Sequence, residues 1–494
     1  FRSLIPLKKG DIYSSAKVNA GIKSIADVLG TYGYAFASIT PQPDLLRDKQ
    51  EVDLALVVDP GKRAYVRKIN IVGNTKTRDA VIRREVRQME SSWYDAEKLK
   101  LSKDRLNRLG YFKEVDLTTQ DIPGVNDQVD VNIAVVEKPT GNFSLGAGYS
   151  STEKIVLSAG INQENAFGTG TSIGLNVNTG AINRTLVISQ FDPYFTEDGI
   201  SRFSDIYYRT ARPLYYLGDQ TYKIITTGIS TKFGVPYTET DRVFFGAAFE
   251  RLELSTSPSA PEPYLAYVGK VDPSQANSQY QTLVTYNLPL TVGWSRDRRD
   301  STIIPTKGTY QQANFEVGTP ATANEYFRAY YQGQFFYPVT NTNILSLNGE
   351  IGYGGTYGGK PFPITKYYYA GGIGSVRGFV PGSLGPYYYN ATVGMNQATG
   401  GQSKLIGNAE YTLPMPGTGT DKTLRVFGFF DAGNVYSGPI QITGPNGTGL
   451  RYAYGLGISW ISPLGPLKFS YAMPINVLPS DRIQRFQFQI GTAF

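Results

Sequence analysis

Arg485-Phe486-Gln487-Phe488-Gln489-Ile490-Gly491-Thr492-Ala493-Phe494 closes the chain. Apolar and polar residues alternate through it, and it stops on an aromatic carboxy terminus. Period-two alternation specifies a strand with one apolar and one polar face. The same pattern recurs from about Gly141 onward. Phe143, Leu145, Ala147 and Tyr149 alternate with Asn142, Ser144, Gly146 and Gly148. Ile155-Leu157-Ala159-Ile161, Leu345-Leu347-Gly349-Ile351, Tyr452-Tyr454-Leu456-Ile458-Trp460 and Leu467-Phe469-Tyr471 repeat it at every second position. Segments between turn signals count to sixteen strands, an even number as bacterial membrane barrels require.

Link lengths agree in parity. If the amino-terminal region and the last residue are periplasmic, links from odd to even strands are extracellular. The two longest links, about 257–278 and 354–403, follow the seventh and eleventh strands. Phe191-Asp192-Pro193 and Ser462-Pro463-Leu464-Gly465-Pro466 follow even strands and are short, as periplasmic turns should be. A soluble all-β array would expose too much tyrosine and phenylalanine on such faces. Residues 141–494 are therefore expected to form a 16-stranded antiparallel transmembrane β-barrel with a long inserted loop at 354–402.

Composition narrows the chemistry. Gly (54), Tyr (36) and Phe (25) are abundant, as a closed barrel in lipid demands. Cys and His are both absent, which removes disulfides, thiolate nucleophiles, Ser-His-Asp triads and HExxH zinc sites. No enzyme, cofactor or metal is expected. Net charge is +7 with acids and bases interspersed and no Lys/Arg block, so no nucleic-acid partner is expected; a surface near anionic membrane lipid suffices. No apolar run approaches the ~18 residues of a spanning helix. No leader pattern opens the sequence, which predicts a mature or shortened chain.

The first 140 or so residues are richer in charge and show helical periodicity. Thr77 is expected to cap a helix running through Ala80-Val81-Ile82 to Met89, and Asp95 to Leu109 is a second helix closed by Gly110. Strands at Tyr65–Val72, Lys113–Thr118 and Gln128–Val136 complete a βααββ unit. Leu29-Gly30-Thr31-Tyr32-Gly33-Tyr34 parallels Leu106-Asn107-Arg108-Leu109-Gly110-Tyr111, and Glu51-Val52-Asp53 parallels Gln128-Val129-Asp130, both at an offset of 77. A shared offset at two places indicates a tandem repeat: residues 1–61, truncated at the start, and 62–138. Projected back, the first copy lacks its opening strand, which predicts further repeats upstream.

Val376-Arg377-Gly378-Phe379, preceded by Ala370-Gly371-Gly372, resembles the signature of the outer-membrane assembly and translocation superfamily. Asp297-Arg298-Arg299-Asp300 with Pro305 and Gly308, Gly407-Asn408-Ala409-Glu410 and Phe430-Asp431-Ala432-Gly433-Asn434 fall in the same order. The βααββ units are similar to POTRA domains. The resemblance covers the whole chain and implies a Gram-negative outer-membrane barrel with periplasmic repeats that assembles other barrel proteins.

Strand parity gives the motif residues a place. Leu405, Gly407, Ala409 and Tyr411 form an outward set, so Glu410 faces the lumen; Asp431 shares parity with Arg425 and points inward too. By resemblance, the loop tucks into the barrel and Arg377 pairs with these acids. A guanidinium can bridge two carboxylates as Lys cannot. In water the pairing would contribute ~0–1 kcal/mol; in a dry site, losing a partner would cost roughly 3–5 kcal/mol. Parity alone also allows two acids that merely solvate a polar lumen.

The first and last strands must pair to close the barrel. Phe143, Gly146 and Gly148 lie on one, and Phe488, Gly491 and Phe494 on the other. Glycine weakens a ladder, so this seam is expected to be the weak one, although lumen-facing glycine also occurs where a loop packs on the wall. An opened seam presents backbone edges that could template a strand of an unfolded outer-membrane client. The resemblance implies that the barrel-proximal repeat docks periplasmic lipoproteins of an assembly complex. The Arg83–Glu90 helix is the candidate contact, Glu90 foremost, against the plainer reading of a solvated helix face. Alternatives are a polypeptide translocation pore of two-partner secretion, which shares these features, a passive porin, which needs neither repeats nor loop, and an enzymatic barrel.

Overall fold

The structure is a computed structural model. It describes residues 1–46, 51–150, 153–212, 222–238, 240–278, 281–301, 305–340, 342–390, 394–417, 423–443, 449–462 and 465–491. Two compact units emerge: residues 1–141 with 163–172, and residues 142–162 with 173–494.

In the first unit, Ser14 caps α1 (Ser15–Thr31), which buries Val18, Ile25 and Leu29 on one stripe. An antiparallel pair follows, β1 (Ser38–Leu46) with β2 (Glu51–Asp59). The second repeat is β3 (Tyr65–Val72), α2 (Asp79–Arg83), α3 (Ala96–Arg108), β4 (Phe112–Ile122) and β5 (Val125–Glu137), the expected βααββ order. Its sheet runs β3-β5-β4, with β3 parallel and β4 antiparallel to β5. Val66, Ile82, Leu106, Val129 and Ile133 fill its core. Asp95 caps α3 by accepting from the Glu97 and Lys98 amides, and Gly110 follows it at φ +73°.

The first helix of this repeat is shorter than its periodicity predicts. It ends at Arg83, its N-cap is Arg78 rather than Thr77, and the chain to Met89 is irregular. Tertiary partners have taken over the local hydrogen bonds. The Arg87 amide donates to Ser102 Oγ at 2.8 Å, and buried Gln88 donates to Ser92 Oγ and the Trp93 carbonyl. Thr77 turns its own amide to Glu137 and accepts from Asn165 Nδ2 through its hydroxyl. The 163–172 turn packs in this unit. Gly168, at φ +71°, accepts the Arg78 amide, and a Cβ there would collide with the Lys76 carbonyl.

Glu137 clasps the loop after β3. Burial alone would raise its carboxyl pKa, but donors from Thr77, Thr75 and Lys76 outweigh that and hold it down to about 2. A depressed carboxyl stabilises the fold above its unfolded pKa near 4.5, and the gain is lost as pH falls toward 2. Glu137→Gln is therefore expected to cost the first unit about 1–2 kcal/mol at neutral pH, after allowance for solvent screening. Thermal unfolding at pH 7 and pH 2 checks this: the variant and parent should converge at the acidic end.

The second unit is a closed barrel. Its first seven staves are β6 (Gly141–Ser150), β7 (Lys154–Ala166), β8 (Thr171–Thr179), β9 (Asn183–Asp192), β10 (Ser201–Ala211), β11 (Tyr222–Pro236) and β12 (Asp241–Thr256). β13 (Gln281–Asn287) and β14 (Pro289–Asp297) both pair with β12 and form one stave, interrupted where Pro289 lacks an amide hydrogen. β15 (Gly308–Gly318), β16 (Tyr326–Pro338) and β17 (Ile344–Thr356) follow. Within the next link lie β18 (Gly378–Phe379) and the hairpin β19 (Tyr387–Asn390) with β20 (Met395–Ala398). The wall resumes with β21 (Ser403–Pro414), β22 (Leu424–Tyr436), β23 (Arg451–Ser462) and β24 (Gly465–Ile475). After the short β25 (Ile483–Gln484), β26 (Phe486–Gly491) closes on β6. Seventeen segments, two sharing a stave, make the sixteen strands expected.

Alternation is as read: Ile155, Leu157, Ile161, Leu456 and Ile458 are exposed on the outer face. No helix among the described residues is long and apolar enough to cross a membrane; here strands do so. The two longest links follow the seventh and eleventh staves, although β17 continues to Thr356, two residues past the expected loop start. In the earlier link, α4 (Glu262–Val271) buries Tyr264, Tyr267 and Val268 against Leu252, Leu254 and Leu283. The later link folds inward. Its Tyr368, Val376, Phe379 and Leu384 pack with Ile406, Val435 and Ala453 of the wall.

Candidate functional site

Two adjoining staves present the acids. β21 and β22 pair so that Asn408 faces Asp431 and Glu410 faces Phe429 across the ladder. Phe430 and Tyr411 remain exposed on the outer face, and Asp431 is fully buried. The inserted loop supplies the cation. Arg377, itself 5% exposed, donates from Nε and Nη2 to the two oxygens of Asp431, both at 2.8 Å. Its Nη1 donates to Glu410 Oε2 at 2.8 Å, and its backbone amide adds a third bond to Asp431 at 3.0 Å. One guanidinium thus joins two staves in the fork geometry that Lys cannot copy. The site is dry at Asp431, so the larger cost applies to losing a partner.

The residues around this bridge are ones that sequence reasoning left unassigned. Asn408 donates to Asp431 and to the Ser375 carbonyl, tying acid and loop together. Lys468 reaches Glu410 at 3.2 Å. The Arg377 guanidinium lies 3.5 Å from the Phe429 ring centre, and Lys468 sits over Phe427. Lys468 is opposite in parity to Leu467 and Phe469, so period two turns it inward, and what it meets there depends on the loop. Gly378, next to the bridge, has φ +88°, and a Cβ would come within 2.8 Å of Pro474. Phe379 is fully buried.

A second cation ties the start of the same loop to another arc of the wall. Lys366 lies 2.9 Å from Glu316 on β15 and 3.6 Å from Glu250 on β12. Tyr207 donates to Glu250 and Tyr326 to Glu316. Because these four lie on different staves, no local spacing announced the group.

At the seam, β26 meets β6 through Gln489–Ser150, Ile490–Tyr149 and Gly491–Gly148. Residues 151–152 and 492–494, Phe494 among them, lie outside the described set. The neighbouring staves β23 and β24 pair from Tyr452–Ile475 to Ser462–Gly465. Tyr149 and Phe488 stack across the seam with centroids 5.5 Å apart, while Phe143 is exposed on the outer face and Gly146 alternates with it toward the lumen.

Glu90 is not on a helix; α2 stops seven residues before it, which corrects the expectation of an Arg83–Glu90 helix. Its carboxylate accepts the Ile69 amide of β3 at 2.8 Å and lies 3.5 Å from Arg83, whose guanidinium donates to the Ile69 carbonyl. Glu90 remains partly exposed.

The POTRA family model, described as a surface antigen variable number repeat, matches residues 1–61 and 64–138. The Omp85 superfamily domain matches residues 165–494. Outer membrane protein assembly factor BamA from Neisseria meningitidis is 38% identical to this chain over 517 aligned positions, covering 99% of this chain and 64% of that protein. Its counterpart from Nitratidesulfovibrio vulgaris is 27% identical, over 96% of this chain and 56% of that one. The chain thus spans somewhat under two thirds of the length of these curated relatives. The crystal structure of BamA from Haemophilus ducreyi lacking POTRA domains 1–3 superposes with a TM-score of 0.85 at 29% identity, covering 99% of this chain and 95% of that one. CdiB from Acinetobacter baumannii, 14% identical with a TM-score of 0.55 over 98% of this chain and 82% of its own, shares the fold alone. With the superfamily domain matched across most of its length, this chain is a POTRA-bearing β-barrel of the bacterial outer membrane and belongs to the Omp85 superfamily.

Proposed function

We propose that this chain folds and inserts β-barrel proteins into the outer membrane by strand templating at the β26–β6 seam. The observation that carries the reading is that two glycines, Gly148 and Gly491, are direct partners in the ladder that closes the barrel, where glycine weakens the pairing. Each stave of a barrel in lipid must have its backbone groups paired. A seam that parts at low cost offers two unpaired edges, and a client strand can pair with them as it leaves water. The work is done by backbone hydrogen bonds and burial, without nucleotide, cofactor or covalent step. The assembly-factor relatives support the client class. Reconstitution into liposomes tests it: an unfolded barrel protein should gain protease resistance with the chain present and stay digestible without it. A large steady conductance with no such gain would favour a porin, and export of one polypeptide through the lumen a secretion pore.

The second repeat is the proposed dock for periplasmic lipoproteins, with Glu90 at the contact. Its carboxylate and Arg83 together occupy both backbone groups of Ile69 on the sheet edge, so reversing the charge disturbs edge and contact at once. Glu90→Lys is expected to reduce lipoprotein co-purification about tenfold, in keeping with loss of a partly exposed charge-assisted contact. Unchanged recovery would remove Glu90 from the interface.

A further inference from the structure

The last strand changes partners partway along its length. From Phe486 to Ile490 it pairs with β24, Phe486 opposite Tyr471 and Ile490 opposite Leu467. One residue earlier the wall ladder ends: the Ala472 amide donates to the Arg485 carbonyl, and β25 leaves β24 to pair with the inserted loop instead. Gly378 stands opposite Gln484 and Phe379 opposite Ile483. The Val380 amide donates to the Arg482 carbonyl at 2.9 Å, extending that contact by one bond. Within the strand itself, Gln487 points to the lumen, is fully buried, and donates from Nε2 to the Phe379 carbonyl at 2.7 Å. Its Oε1 has no partner among the described residues, so this one bond sets the orientation of the side chain.

We infer that Gln487 is a positioning residue, a latch by which the inserted loop holds the extracellular half of the last strand, so that the loop anchor and the seam move as one mechanical unit. The chain of contacts is short. Arg377 is fixed to Asp431 and Glu410; the next two residues form β18; β18 and Val380 hold residues 482–484; and Gln487 ties the following turn of the strand to the same loop carbonyl region. Gly378 makes this geometry possible. Its positive φ turns the loop, and its missing side chain lets the backbone approach Pro474 and Ala472 of β24. A bulkier residue there would push the loop tip off the wall, and β25 with it. The last strand is thus held by the loop above and by β24 and β6 below. Release of the latch frees the upper half on its lumen side, and the strand is then held by its ladders to β24 and β6.

The inference rests on the seam reading proposed above, but its test reads seam geometry and not insertion. Because the chain has no cysteine, spin labels can be placed at Leu145→Cys on β6 and Phe486→Cys on β26, both exposed in the parent. A control pair, Tyr454→Cys and Tyr471→Cys, spans β23 and β24. Gln487→Leu keeps the volume and removes the strand's donor to the loop; Val380→Pro removes the loop's donor to Arg482 by an independent route. Gln489→Leu deletes a polar residue of the same parity that makes no hydrogen bond to the loop among the described residues. Either latch variant should broaden the seam distance distribution and speed amide exchange across residues 483–490 roughly tenfold, with the control pair unmoved. Parent-like distances and exchange in both latch variants overturn the inference, as does an equal change in Gln489→Leu. If the latch is real and the insertase reading wrong, these shifts appear while liposome insertion is absent; the converse failure leaves insertion intact and these readouts still.

Discussion

Asp431→Ala is expected to destabilise the barrel by about 3–5 kcal/mol, because it strands a buried guanidinium that has lost two side-chain bonds and one backbone bond. Glu410 keeps only one bond to Arg377 and shares its charge with Lys468, so Glu410→Ala should cost less. Arg377→Lys keeps the charge but cannot reach two staves, and should fall between parent and Asp431→Ala. Guanidinium denaturation of the protein in lipid or detergent, followed by resistance of the inserted loop to protease, orders the three. Equal stability of Asp431→Ala and the parent would show that the bridge contributes nothing measurable and that the loop is held by its apolar packing on Ile406, Val435 and Ala453.

Cross-linking the seam should have the larger effect on activity. Gly148 and Gly491 are direct partners across β6 and β26, and antiparallel partners stand at Cα separations within disulfide range. With no other cysteine in the chain, Gly148→Cys with Gly491→Cys can form a single defined cystine. Oxidised protein is expected to keep its fold while client insertion falls at least tenfold, and reductant should restore it. Both cysteines singly should insert normally. Full insertion by the locked form would refute the seam model and leave the barrel and its anchor untouched.

The two experiments probe opposite ends of one structure. The anchor is dry, charged and tied by short bonds, and its loss is read as stability. The seam pairs glycine with glycine at Gly148 and Gly491, and its restriction is read as lost turnover. A loop fixed firmly at Arg377 can steer the last strand only because residues 378–380 continue straight from the anchor into contact with residues 482–487. A second tie at Lys366, to Glu316 and Glu250, joins the start of that loop to the wall.

Much of this was legible in the residues. Alternation placed Glu410 and Asp431 in the lumen, and it counted sixteen staves, because side-chain direction in a strand depends only on parity. The segment count located both long loops, and their parity agreed, since turn length in a barrel follows membrane side. The helix in the second repeat was overextended to Met89. Its propensity there is outweighed by Ser102, which takes the Arg87 amide, and by Gln88 bonding forward to Trp93. Both partners are distant in sequence or direction from any helical pattern.

The barrel, the repeats and the faces of residues such as Glu410 and Asp431 could be read without coordinates, because they follow from periodicities of two and 3.6 along a single stretch of chain. That Lys366 meets Glu250 and Glu316, that Lys468 shares Glu410, and that Gln487 holds the Phe379 carbonyl emerged from the folded chain. Those meetings join residues of separate staves through a folded-in loop. Where a loop comes to rest is set by packing across the whole lumen, and no local period encodes it.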